Sequence, residues 1–197
     1  MTDPIDILAE RGLLHDHTDE ASLREHLTSG QRTFYVGYDP TAQSLHVGNL
    51  VGLMTQAWLQ RAGHRPIVLA GGATGRIGDP SFRDEERQLM DDETIERNLE
   101  GIKRDFGRVL DVSNATVVDN YEWTKHITVL EFLRDIGKHF SINQLIARES
   151  VRRRLEDREQ GISYTEFSYA LLQAMDFDHL FATYGCTLQA GGSDQWG

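Results

Sequence analysis

Cysteine is almost absent from this chain: Cys186 stands alone among 197 residues. A lone thiol cannot form an intramolecular disulfide, so a reducing cytoplasm is the expected compartment. The eight histidines are scattered and form no zinc spacing with that cysteine or with each other, so no protein-bound metal is expected. Long apolar runs are also missing. None approaches the ~20 residues of a membrane span, so a soluble protein with no membrane partner is expected. The opening MTDPIDILAERGLL carries acids where a secretory signal would carry positive charge, and no small-residue cleavage pattern follows. Basic charge is in short supply: 20 Lys and Arg against 31 Asp and Glu give a net charge of −11. That balance argues against a general nucleic-acid binder, which must neutralise phosphates with a basic surface. Repeats and low-complexity tracts are lacking too. What remains is an ordinary globular composition, 39 % hydrophobic and 9 % aromatic. The length suits one sizeable domain, or one domain with a small appendage.

The apolar pattern alternates strands with helices. Residues Ile5–Leu14 and Ala21–Leu27 read as two short N-terminal helices, the second preceded by the cap candidates Thr18 and Asp19. A strand at Thr33–Tyr38, a helix from about His46 to Arg61 and a second apolar run at Pro66–Ala70 form a βαβ unit, which implies parallel strands. The glycine-rich segment from Gly71 to Asp84 reads as a loop, followed by a helix over about Glu93–Val109 and a strand near Ala115–Val118. Beyond Trp123 the chain reads as mostly helical. Thr128 with Glu131, Ser141 with Gln144 and Ser163 with Glu166 have the spacing of capping boxes. A last strand, Thr187–Ala190, runs into Gly191-Gly192-Ser193-Asp194-Gln195, and a parallel sheet would demand a further crossover helix after it. The domain is therefore expected to be cut short.

Three groups of residues could carry chemistry. The stretch TFYVGYDPTAQSLHVGN leaves a strand at Asp39, crosses a polar loop and enters a helix whose first turn is expected to hold His46, Gly48 and Asn49. A helix N-terminus suits phosphate, and a glycine there lets a ligand approach the backbone. His46 and Asn49, three apart, share one face and can both donate to phosphate oxygens; ordinary α/β packing with His46 as a satisfied polar residue is the other reading. In the helix opened by Ser163, an apolar surface nearly all round carries one polar stripe: Tyr169, Gln173 and Asp176. They form either a structural hydrogen-bond network or the lining of a polar pocket, and in either case something polar must face Asp176. Two glycine clusters supply Asp79, and Asp194 with Gln195, at strand ends where open α/β sheets bind ligands. The arginines Arg148, Arg152, Arg153, Arg154 and Arg158 crowd one helical stretch, as a solvated face or as a phosphate-binding patch.

Together these blocks resemble one family, the bacterial tyrosyl-tRNA synthetases of class I. YVGYDPTAQSLHVGN is similar to the family's first signature, the HIGH motif. GGATGRIGDPS, FLRDIGKHFSINQL, GISYTEFSYALLQAMDF and LQAGGSDQWG match further blocks, so the resemblance spans essentially the whole chain. It implies a Rossmann-like parallel sheet with helices on both faces: a catalytic domain over 31–197, C-terminally incomplete, with a helical insertion over about 121–184 and an N-terminal helical segment, 1–30, packed on it. It implies that Tyr35 and Asp176 bond the hydroxyl of a substrate tyrosine, that Asp79, Tyr169 and Gln173 hold its ammonium group, and that Gln195 lies near its carboxylate. Gly37, Asp39, Gly192 and Asp194 would line the adenosine side of ATP, with Gly48 at the helix start, while Thr41, His46 and Asn49 would touch the triphosphate of the Mg²⁺ complex.

Tyrosine would be activated to tyrosyl-adenylate and passed to tRNA(Tyr), with Arg148, Arg152 and Arg153 as acceptor-stem candidates and a homodimer contact over about 130–146. Two positions depart from the pattern: Asn49 stands where many members have histidine, and Val36 where relatives commonly have cysteine. The second signature, a KMSKS-type loop, and the anticodon-reading region would lie beyond Gly197, so the chain alone is not expected to aminoacylate tRNA. Two other readings stay open here: another nucleotidyltransferase with an H-x-G-H helix start, and a truncated, non-catalytic tyrosine- or nucleotide-binding relative.

Overall fold

A computed structural model describes residues 3–79, 90–147, 149–156 and 161–195; the side chains at 149, 150, 153, 154 and 194 also fall outside the description. The elements, in chain order, are α1 (Pro4–Glu10), α2 (Glu20–Thr28), β1 (Thr33–Tyr38), α3 (Val47–Arg61), β2 (Arg65–Ala70), α4 (Thr74–Ile77), α5 (Asp92–Phe106) and β3 (Thr116–Asp119). They continue with α6 (Tyr121–Thr124), α7 (Val129–Glu131), α8 (Ile142–Ala147), α9 (Glu149–Glu156), α10 (Tyr164–Tyr184) and β4 (Cys186–Gln189). All four expected strands are present, shifted by a residue or so at their ends. The segment after Gly71 departs from expectation. Thr74–Ile77 closes one helical turn, and Gly78, at φ 89°, ends it in a conformation that side chains resist.

The strands form one parallel sheet in the order β3-β2-β1-β4. The chain builds outward from β1 to β2 and β3, then returns across α10 to pair β4 with the other side of β1. Strand order therefore reverses between β1 and β4, and such a reversal opens a crevice at the C-terminal ends of the strands.

Because β1 is covered on both faces, alternate side chains serve different cores. Val36 and Tyr38 join Val68, Ala70 and the apolar sides of α3 and α5, whereas Tyr35 joins Ile67, Leu69 and Leu180 of α10. A third cluster seats α1 and α2 on α3 through Ile5, Leu8, Leu27 and Leu59. Trp58 of α3 reinforces that contact, with the guanidinium of Arg11 3.6 Å and that of Arg61 4.6 Å from its ring centre.

Caps set the helix starts. Asp19 accepts the Ser22 N–H at α2, and Thr128 and Glu131 form a reciprocal box at α7. Ser163 accepts the Glu166 N–H at α10, and at α8 Ser141 precedes the first helical residue and its carbonyl takes the Leu145 N–H. α10 is less completely buried than its apolar sequence implies. Asp176, Leu180, Tyr169 and Leu171 face inward, while Ala174 and Phe181 are exposed, because the sheet covers only one side of this helix. Among the described residues, no helix is long and apolar enough to cross a membrane.

Candidate active site

The loops after β1, β2 and β4 border the crevice, α10 closes one side of it, and the residues after β3 reach it through the bonds of Asn120 and Trp123 to Asp176. The open space they line, about 1980 Å³, continues past the crevice along α1, α2 and the start of β4. Its floor is polar in a particular way. The Asp176 carboxylate, 1 % exposed, accepts the Asn120 amide on Oδ2 and the Trp123 indole N–H on Oδ1, both at 2.9 Å. These are the polar partners that the sequence demands for Asp176. Burial outweighs the two donors and pushes the carboxyl up to about 7.

Asn120 in turn is fully used. Its Oδ1 accepts the Ala73 N–H at 2.7 Å, and its Nδ2 also reaches Thr74 Oγ1 at 3.1 Å. Thr74 donates to Asp39 Oδ1 at 2.6 Å, and the Tyr169 hydroxyl donates to Asp39 Oδ2 at 3.0 Å. One chain of hydrogen bonds, buried from Thr74 onward and partly buried at Asp39, thus runs from Tyr169 through Asp39, Thr74 and Asn120 to Asp176. Gly71 is required beneath it, since a Cβ there would collide with Asp39 Oδ1 and Thr74 Oγ1.

A second chain faces the first. Gln173 donates to Gln195 Oε1 at 3.0 Å, and Gln195 donates to Asp79 Oδ2 at 2.8 Å. Gln173 therefore turns its carbonyl oxygen away from Gln195, and Tyr169 keeps lone pairs because it donates to Asp39. This end of the cleft collects acceptors and carboxylates, a surface suited to a cation. Tyr35 lies between the sheet and α10, its ring centre 5.5 Å from that of Phe177. Its hydroxyl is buried with no hydrogen-bond partner among the described residues, and burial together with the Asp176 charge raises its pKa.

The other end of the cleft has the opposite polarity. His46 is the N-cap of α3 and not part of its first turn. Its ring Nδ1 accepts the Asn49 N–H at 3.3 Å while Asn49 Oδ1 accepts the His46 N–H at 3.1 Å. Because Nδ1 accepts, the neutral ring carries its proton on Nε2 and can donate to a ligand. The structure shows a local cause for glycine at 48. A side chain there would press on the His46 ring, whose Cε1 would lie 2.9 Å from the added Cβ.

The structure gathers Tyr35, Gly37, Asp39, Thr41, His46 and Gly48 around this cleft, with Asn49, Asp79, Tyr169, Gln173, Asp176, Gly192 and Gln195. The side chain of Asp194 and all of Arg148 lie outside the described residues, as does the Arg153 side chain. Arg152 is exposed and lies 3.9 Å from Glu156, one helical turn on. Three participants, Thr74, Asn120 and Trp123, carry no signal in the sequence that would have placed them at the site.

Comparison with known proteins bears on these residues as a set. The family model for class I tRNA synthetases (W and Y) matches residues 28–197. The tyrosine--tRNA ligase of Cereibacter sphaeroides (strain KD131 / KCTC 12085) is 50 % identical over 200 residues, covering 100 % of this chain and 48 % of that protein. That of Opitutus terrae is 55 % identical over 197 residues, with 98 % and 46 % covered. The crystal structure of a C-terminally truncated Aspergillus nidulans mitochondrial tyrosyl-tRNA synthetase superposes with a TM-score of 0.86 at 33 % identity, covering 99 % of this chain and 58 % of that one. The chain spans about half the length of the curated relatives it matches.

Proposed function

Since the chain belongs to the class I tRNA synthetases of the tryptophan and tyrosine type, we propose that it supplies the tyrosine- and ATP-binding half of a tyrosine--tRNA ligase. The observation that carries this reading is the Tyr35 hydroxyl, buried, without a partner among the described residues, and lining the same cleft as the Asp176 carboxylate, whose charge it feels. A substrate phenol gives Tyr35 its partner and Asp176 a third donor: it accepts from Tyr35 and donates to Asp176. The acceptors of Asp79, Tyr169 and Gln173 hold the ammonium group, and Gln195, which orients two of them, lies toward the carboxylate.

The adenosine of ATP lies along Gly37, Asp39, Gly192 and Asp194. Its triphosphate, as the Mg²⁺ complex, reaches Gly48 and the N-terminus of α3 with Thr41, His46 and Asn49. The tyrosine carboxylate oxygen attacks the α-phosphorus and the bond to pyrophosphate breaks. A ribose hydroxyl at the 3′ end of tRNA(Tyr) then attacks the tyrosyl carbonyl and AMP leaves. No covalent enzyme intermediate is required; positioning and donors aimed at the developing phosphate charge supply the catalysis.

The same proposal takes residues 31–197 as catalytic domain, with 1–30 as an accessory segment and a helical insertion over about 121–184. It places the protein in the cytoplasm, sets Arg148, Arg152 and Arg153 against the tRNA acceptor stem, and makes the region around 130–146 a homodimer contact. Val129, Leu130, Leu133, Ile142 and Ile146 support the last point, being exposed apolar side chains within or next to that region.

In the complete protein, ATP–pyrophosphate exchange is expected to depend on tyrosine and to be negligible with phenylalanine. Exchange that ignores the amino acid offered would overturn the reading. Tyr35→Phe is expected to stabilise the empty protein by about 1 kcal/mol, since it removes a buried unpaired hydroxyl, and to weaken tyrosine binding about tenfold. Thermal melts and calorimetric titration measure both.

A further inference from the structure

One face of α5 covers the sheet; another holds the loop that opens the nucleotide end of the cleft. Ile95, Leu99, Ile102 and Phe106 form the core stripe against Val36, Tyr38 and Val68. At 100° per residue, Asn98, Gly101 and Asp105 fall within an arc of about 60° on the adjoining side. This second stripe meets the β1–α3 loop at three successive points. The buried Asn98 amide donates to the Pro40 carbonyl at 2.9 Å, and Asp105 Oδ2 accepts the Leu45 N–H at 3.0 Å. Between them the Gly101 backbone lies so close to Gln43 that a Cβ would overlap the Gln43 carbonyl oxygen.

Residues 41–44 are exposed and contribute little packing of their own, so these contacts set where the segment lies. Pro40 directly precedes Thr41, and Leu45 directly precedes the N-cap His46. The stripe therefore fixes both ends of the segment that presents Thr41 and starts α3, whereas the Asp176 network is built from β1, α4, α6 and α10 and the residues flanking them.

We propose that Asn98, Gly101 and Asp105 are positioning residues for the phosphate half of the site: they set how the phosphates of a nucleoside triphosphate are held, independently of how tyrosine is held. The inference rests on the reading of the β1–α3 loop as ATP-binding. Displacing a reacting group by about 1 Å can cost up to a hundredfold in rate. In the complete protein, Asp105→Ala is expected to raise the KM for ATP in tyrosine-dependent pyrophosphate exchange by about ten- to a hundredfold. The tyrosine Kd, from equilibrium titration, stays within about twofold because Asp105 holds the Leu45 end of the loop, away from the Asp39 carboxylate that bonds Tyr169.

Asp105→Asn, which keeps an oxygen for the Leu45 N–H, recovers most of the loss. Arg108→Ala removes only the 3.2 Å ion pair to Asp105 and leaves the KM unchanged. Amide hydrogen exchange at Leu45 accelerates in Asp105→Ala and not in Asp105→Asn. A tyrosine Kd that rises in step with the ATP KM overturns the proposal, as does an ATP KM or a Leu45 exchange rate that Asp105→Ala leaves unchanged. Should the wild-type protein show no tyrosine-dependent exchange, the functional reading fails by itself. The inference is then decided by Leu45 exchange and direct ATP binding in the same variants: faster exchange with weaker binding upholds it, and no change in either overturns it.

Discussion

On the proposed tyrosine-activating function, replacing His46 with alanine in the complete protein is expected to lower the rate of tyrosyl-adenylate formation by about 10²–10³-fold while the tyrosine dissociation constant stays within about twofold. The expectation follows from how the ring is held. Its Nδ1 accepts the Asn49 N–H, so the proton resides on Nε2, and the reciprocal Asn49 bond fixes the backbone of the cap. A donor held in this way at a helix N-terminus can strengthen its bond as charge grows on the phosphates, at no cost in reorganisation.

Alanine removes two things at once, however: the donor and the cap. Loss of an N-cap costs about 1 kcal/mol of stability, whereas a hundred- to thousandfold rate loss corresponds to about 2.7–4 kcal/mol, so the cap alone is too small. His46→Asn separates the two roles. Asparagine is among the best N-caps but is too short to reach where Nε2 reaches, so wild-type thermal stability should return while adenylate formation stays depressed about a hundredfold. Single-turnover kinetics and melts on both variants measure this. Recovery of rate by asparagine would reduce His46 to a structural cap.

Much of this end of the site was legible in the sequence for a local reason. Strand, loop and helix N-terminus are consecutive in the chain, so spacing and capping preferences place Asp39, His46, Gly48 and Asn49 within a few residues of their observed positions at the end of β1 and the start of α3. The polar stripe on α10 was legible for the same reason, because helical periodicity puts Tyr169, Gln173 and Asp176 on one face.

What faces that stripe was not legible. Asn120 and Trp123 follow β3, more than fifty positions before Asp176, and only the β3-β2-β1-β4 strand order brings them to its carboxylate. Thr74 was hidden inside a segment whose glycines read as a loop. They instead allow close approach: Gly71 passes beneath the Asp39–Thr74 bond, and Gly72 packs against Asp119 and Tyr121. Glycine content reports conformational freedom, and it cannot say whether that freedom serves a turn or a tight contact.

Across the acid range the stability of the empty protein is expected to fall as pH rises, through Asp176, and tyrosine is expected to bind more tightly over the same interval. Burial raises this carboxyl from 3.8 to about 7. Between those values the native state holds a proton that the unfolded chain has lost. The contribution of Asp176 is therefore complete below 3.8 and lost as pH rises through about 7. The loss is on the order of 1–4 kcal/mol, less whatever other groups return. A bound phenol that donates to the carboxylate favours the ionised form, so binding expels the proton below about pH 7 and needs no such release above it. Calorimetry in two buffers of different ionisation enthalpy, at about pH 6 and about pH 8, reads the proton directly; equal affinity with no proton release at both would contradict the assignment.

Asp176→Asn should abolish the pH dependence, weaken tyrosine about a hundredfold and reduce its advantage over phenylalanine by a similar factor. The amide is not a neutral replacement. Trp123 Nε1 and Asn120 Nδ2 each donate to one carboxylate oxygen, and asparagine offers a single acceptor, so one donor is left facing an NH₂ group at a cost of about 1–3 kcal/mol. The variant is thus expected to be less stable as well as less selective, and the wild-type proton release remains decisive if it fails to fold.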